Sequence, residues 1–163
     1  MTMRWFRHLA AGSAKRRFPS QTLDAIQHAV AAQERGHLGE ICFAVEGRLG
    51  PAELSRCRTP RERAWEVFAE LRVWDTAHNT GVLVYVLLAD HAIEIVADRA
   101  VAAQVDQTEW DRVCSVMQQR FAADDYEAGT IAGIEAVAAI LKRHFPSDER
   151  PNPDELPDRP VVR

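Results

Sequence analysis

Residues 79–99, NTGVLVYVLLADHAIEIVADR, hold two apolar runs separated by a short polar break at Asp90-His91. Two such runs with a tight break between them read as a buried β-hairpin. Antiparallel pairing returns the Asp98-Arg99 end of the second strand to the level where the first begins, at Asn79 and Gly81. Polar residues distant in sequence thereby share one sheet edge, and that edge is where function is expected.

The rest of the pattern builds a sheet and its cover. Ile41-Cys42-Phe43-Ala44-Val45, closed by Glu46-Gly47, has the continuous apolar character of a central strand buried on both faces. Ahead of it, Ser20 is placed to cap a helix with Leu23, Ile26 and Val30 on one face, stopped near Gly36. Thr59-Pro60-Arg61-Glu62 combines a threonine cap, proline at the first helical position and a capping-box glutamate; Trp65, Phe68 and Leu71 form the expected buried stripe. After the hairpin, Asp106-Gln107-Thr108-Glu109 starts a helix carrying Trp110, Val113, Cys114, Met117 and Phe121. A last helix begins near Asp125 and carries Ile131, Ile134, Val137, Ala138 and Leu141. Within it Gly129 and Gly133, four apart, point to another backbone passing close to that face. The order α-β-α-β-β-α-α predicts a parallel βαβ unit with an antiparallel third strand. With helices on both faces, this is a small three-layer α/β/α sandwich built on a mixed sheet.

The 163 residues, 47% of them hydrophobic, suit one domain with a substantial core. Its expected limits are residues 20–145. Residues 1–19 form a basic leader with Arg4, Arg7, Lys15, Arg16 and Arg17 and no acid, and residues 146–163, with five of the eight prolines, a mobile tail. The net charge of −4 therefore leaves about nine negative charges on the remainder, a poor surface for a nucleic-acid backbone. Three dispersed cysteines suggest neither a zinc site nor a disulfide framework. No run is long enough for a membrane span or a secretory core, so a cytoplasmic location is expected. The leader reads as a solvated segment. Its alternative is weak contact with anionic lipid, Trp5 and Phe6 entering the interface.

At the functional edge lie Glu40, residues 75–81, Asp98, Arg99 and Asp106, a set of carboxylates and amides that suits a hard cation such as calcium or magnesium. The opposite edge carries Glu46, Arg48, Asp90 and His91. Structural roles stand beside these: Asp106 as a helix cap, Asp98 as the ion-pair partner of Arg99 or another arginine, Asn79, His78 and His91 as turn residues, and Glu40 as a solvated strand end. No GxGxxG, HExxH or GxSxG pattern occurs.

Asn79-Thr80-Gly81-Val82-Leu83 at a strand start, Val105-Asp106 at the next helix start, and Phe121 followed by Gly129-Thr130-Ile131-Ala132-Gly133-Ile134 together resemble the TPM domain, over about residues 20–146. The resemblance is to the short bacterial form without a membrane anchor. It implies an α/β/α sandwich, divalent-metal binding in some members, and either phosphatase activity or an accessory role. The family's metal and ligand positions match Asn79, Gly81 and Asp106. Two segments depart from the family pattern: Arg17-Phe18-Pro19-Ser20 before the first helix, and Ala97-Asp98-Arg99 where a glycine-aromatic-glycine is usual, so that Asp98 offers a carboxylate in place of a backbone ligand.

Two functions follow as expectations. In the first, the chain is a noncatalytic cytoplasmic accessory module that binds a protein partner, itself membrane-associated, and a divalent cation. In the second it is a metal-assisted phosphatase: Asp98 and Asp106 hold the cation, Asn79 orients the phosphate, Arg99 offsets its charge and a metal-bound water attacks.

Overall fold

The computed structural model describes residues 2–57, 59–148 and 152–163. Its elements are α1 (Thr2–Ala10), α2 (Ser20–Gln33), β1 (Glu40–Glu46), α3 (Pro51–Arg56), α4 (Pro60–Glu70), β2 (Gly81–Leu87), β3 (Ala92–Ala97), α5 (Arg99–Ala102), α6 (Gln107–Ala122), α7 (Tyr126–His144) and β4 (Val161–Val162). The sheet runs β3-β2-β1-β4. β1 lies parallel to β2, Glu40 beside Gly81 and Glu46 beside Leu87; β2 and β3 pair antiparallel, Val82 opposite Ala97. The expected mixed sheet is therefore present, a fourth strand added.

Strand alternation divides the core into two layers. Ile41, Phe43, Val45, Val82, Val84 and Val86 face α2, α6 and α7, while Cys42, Ala44, Leu83, Tyr85 and Leu87 face α3 and α4. The result is the three-layer sandwich, with β1 and β2 buried along their whole length.

Some local expectations are corrected. Pro19, not Ser20, occupies the cap position of α2 and gives no side-chain cap. Phe18 fixes that helix entry, being fully buried against Phe43, Phe121 and Tyr126. On α4 the buried face is Arg63, Ala64, Val67 and Phe68. Trp65 is 48% exposed, held edge-on to Phe68 and beneath Arg61, and Leu71 is only half-buried, because Arg63 reaching inward rotates the stripe. Gly129 and Gly133 meet side chains of α6 rather than a backbone: Arg120 and Phe121 at the first, Met117 at the second.

Both terminal segments pack on the domain. Leu156 is buried, and Val161–Val162 pair in parallel with Ala44 and Val45, Arg163 N donating to Val45 O at 2.9 Å. Residues 152–163 thus close an open edge of β1 instead of hanging free, a pairing that the polar, proline-rich composition hides. The leader is helical over Thr2–Ala10 and bonds to the β2–β3 turn through Asp90, described below. Among the described residues no helix is long and apolar enough to cross a membrane.

Candidate functional site

The edge predicted from the hairpin is assembled around residues 76–81. Asn79 takes a left-handed backbone, φ 54°, its N–H donating to Thr76 O at 3.1 Å, and Thr80 Oγ1 donates to Leu38 O at 2.7 Å. At Gly81 a Cβ would lie 1.9 Å from the Val73 carbonyl oxygen, so only glycine allows this strand start. Asp98 N then donates to Gly81 O at 2.8 Å, and Ala100 N to Asn79 O at 3.2 Å. Four of the five predicted residues, Asn79, Gly81, Asp98 and Arg99, thereby share one corner.

Their side chains have particular occupations. Arg99 donates from Nε and Nη2 to Asn79 Oδ1, at 3.0 and 2.6 Å. The ion pair considered between Arg99 and Asp98 does not form; it is the Arg99 backbone N–H that donates to Asp98 Oδ1, at 2.7 Å, capping α5. Asp98 is buried, and its Oδ2 has no hydrogen-bond partner among the described residues. Asp106 caps α6, accepting from Thr108 Oγ1 at 2.7 Å and Thr108 N at 2.9 Å, and these bonds hold its carboxyl below the usual range. It is exposed and forms no hydrogen bond with Asn79, Asp98 or Arg99 among the described residues.

A second carboxylate group beside β1 escaped the sequence reading. Glu34, Asp154 and Asp158 each bring an oxygen within 4.8 Å of the others. Glu34 Oε1 accepts from Ile41 N at 3.2 Å. Burial, then the charge of Glu40, pushes Glu34 up to about 9. Glu40 is 1% exposed, not solvated, and its Oε2 accepts from Glu155 N and Leu156 N at 3.3 Å; burial outweighs these bonds and lifts it to about 7. The signal lay in the acids of the closing segment, Asp154, Glu155 and Asp158, set aside with the tail. Nearby His37 is fully buried; its Nδ1 accepts from Gly39 N, and burial lowers it to about 4, so it stays neutral.

At the opposite edge, Asp90 receives Arg4 Nε at 2.9 Å and Arg7 Nη2 at 3.3 Å, with His8 Nε2 at 3.2 Å. His8 Nδ1 accepts from Leu49 N at 2.9 Å, so the proton sits on the Nε2 that faces Asp90. His91 follows with φ 51°, the turn role considered for it. None of the cysteines is a ready nucleophile, since burial raises their thiols to about 12 at Cys42 and about 11 at Cys57 and Cys114.

A family model described as the TPM domain matches residues 15–140. Among solved structures, the chain is similar to the BA42 protein of the psychrophilic bacterium Bizionia argentinensis, determined by NMR. The two are 27% identical with a TM-score of 0.75, over 87% of this chain and 92% of that one. No protein of curated function matches.

Proposed function

The chain belongs to the TPM-domain family, and from that premise we propose that it is a noncatalytic accessory module that holds a divalent cation, calcium or magnesium, at the Asp98 corner and presents this end of the sheet to a protein partner. The observation that carries the reading is Asp98 Oδ2, a buried carboxylate oxygen without a donor among the described residues, whose neighbouring guanidinium has been drawn away to Asn79. A buried anionic oxygen left unpaired is costly, and a hard cation is the partner that oxygen chemistry suits. Asp98 would supply the first ligand. Asp106 would add a second carboxylate, since a capping aspartate keeps an oxygen to spare. When bound, such an ion supplies fixed positive charge that orders the corner.

The noncatalytic part rests on how the polar groups are spent. Arg99, the residue that would neutralise a phosphate, already saturates the Asn79 carbonyl, and the thiols stay protonated. Free cysteines suit the reducing cytoplasm in which this reading places the chain.

Calorimetry of the full chain with calcium and with magnesium tests the cation, and phosphate release from an aryl phosphate, with and without the ion, tests catalysis. Wild type should bind the ion, and Asp98→Asn should weaken binding by about tenfold or more. Equal affinity in both would remove the site. Cation-dependent phosphate release abolished by Asp98→Asn would instead establish a metal-assisted phosphatase, with Asn79 and Arg99 on the phosphate.

A further inference from the structure

Helix α1 docks with its polar face inward. Arg4 and His8 point to the domain and meet Asp90, their side chains 19% and 1% exposed, and Trp5 packs partly buried against the core layer of Ala44, Leu83 and Tyr85. Met3, Phe6 and Leu9 are 78%, 69% and 68% exposed. Spaced three apart, they form a single outward stripe. A surface helix ordinarily does the reverse, burying its apolar face and solvating its charges. Trp5, expected at an interface, is thus not part of the stripe; Phe6 is.

The segment that carries the stripe is basic throughout. Residues 2–17 contain five cations and no acid, and Lys15, Arg16 and Arg17 are exposed without a carboxylate partner among the described residues. Arg7, Arg16 and Arg17 line a cleft of about 770 Å³ between the leader and the start of α7. The acids across it are Asp124, Asp125 and Glu127, of which Asp125 caps Ala128 N and pairs with Arg120, and Glu127 accepts from Thr22 Oγ1 at 2.6 Å.

We infer that the outward face of α1, with the cations that follow it, is a docking surface for an anionic lipid bilayer. Met3, Phe6 and Leu9 enter the interface while Lys15, Arg16 and Arg17 lie at the headgroup phosphates. A second copy of the chain is the poorer occupant. The helix is only about 13 Å long, so its stripe falls well short of the roughly 800 Å² per partner of a stable dimer, and self-association would bring like charges together. Asp90 sits at the β2–β3 turn, the end of the sheet opposite Asp98, so this surface does not depend on the cation reading.

Co-sedimentation of the full chain with vesicles provides the test. Binding should be at least about tenfold greater to phosphatidylcholine vesicles containing roughly 30% phosphatidylglycerol than to phosphatidylcholine alone, and should fall in about 0.5 M salt. The combined substitution Met3→Ser, Phe6→Ser, Leu9→Ser changes only exposed side chains and should keep the wild-type melting temperature while losing vesicle binding. Lys15→Glu with Arg16→Glu should lose the preference for phosphatidylglycerol. Equal sedimentation of wild type and the serine variant would overturn the proposal, as would a wild-type dimer that the serine variant lacks, or displacement from vesicles by millimolar glycerol phosphate, which would mark the cleft as a soluble-anion site.

Discussion

Arg63 donates from Nε and Nη2 to the two carboxylate oxygens of Glu46, at 2.9 and 3.0 Å, joining the first turn of α4 to the end of β1. Both side chains are less than a tenth exposed. Tyr85 OH donates to Glu46 Oε2 at 2.6 Å, and Arg63 Nη1 to Glu66 Oε2 at 2.9 Å, so nearly every polar atom of the fork has a partner. Removing one member leaves a buried charge uncompensated. Arg63→Met should therefore cost about 3–5 kcal/mol in urea denaturation, while adding Glu46→Leu should return most of it. A double variant no more stable than the single would show that the pair, not the stranded charge, carries the effect.

Gly81 begins β2 against the Val73 carbonyl. With a Cβ placed 1.9 Å from that oxygen, Gly81→Ala must force the Val73 carbonyl and the start of β2 apart. The expected loss is about 3 kcal/mol, as for an overpacked core position. A urea midpoint within error of wild type would mean that the loop moves at no cost.

Stability should fall as the solution becomes alkaline. Glu34 and Glu40 have folded values of about 9 and about 7, above the ordinary 4.5, so folding takes up protons. Their contribution is complete below about 4.5 and is lost as pH rises through 7 and then 9. Asp154, Glu155 and Asp158 face them from the closing segment and add to the repulsion on ionisation. Urea midpoints for wild type should drop between pH 6 and pH 9. Glu34→Gln, which keeps an oxygen for Ile41 N, should flatten that drop, and an unchanged profile would mean that Glu34 does not take up the proton.

Asp106→Ala should cost about 1 kcal/mol through loss of the α6 cap. Asp98→Ala removes a cap from the four-residue α5 and also an unpaired buried oxygen, and these act in opposite directions. Its effect without calcium should be the smaller of the two; once calcium is added both variants should cost more, and Asp98→Ala, which loses the first ligand, should become the more costly. Thermal melts with and without the ion measure both; identical melts for Asp98→Ala and wild type in calcium would argue against that ligand.

The parallel pairing of β1 with β2, the hairpin, the capped starts of α4, α6 and α7 and the corner of Asn79, Gly81, Asp98 and Arg99 were all legible, because apolar runs and caps are local signals. The inward turn of Arg63 was not. It depends on Glu46, seventeen positions away, and a charged residue in a helix pattern reads as solvated. Glu34 and Glu40 were missed as a group for a related reason: what buries them is a segment whose prolines and acids suggest a free tail. α1 was hidden by its own inversion, since Met3, Phe6 and Leu9 look like a buried stripe only when a core lies beneath them.

Strand β4 has a consequence for the route by which this chain folds. Ala44 and Val161 lie well over a hundred positions apart, whereas the β2–β3 hairpin closes across a four-residue connection, Leu88–His91. Loop-closure entropy therefore places the hairpin early and the β1–β4 pairing last. Until that step β1 presents unpaired amides along an apolar strand, the species most prone to join another chain edge to edge. The two-residue strand acts as the seal whose arrival ends the aggregation-sensitive interval of folding.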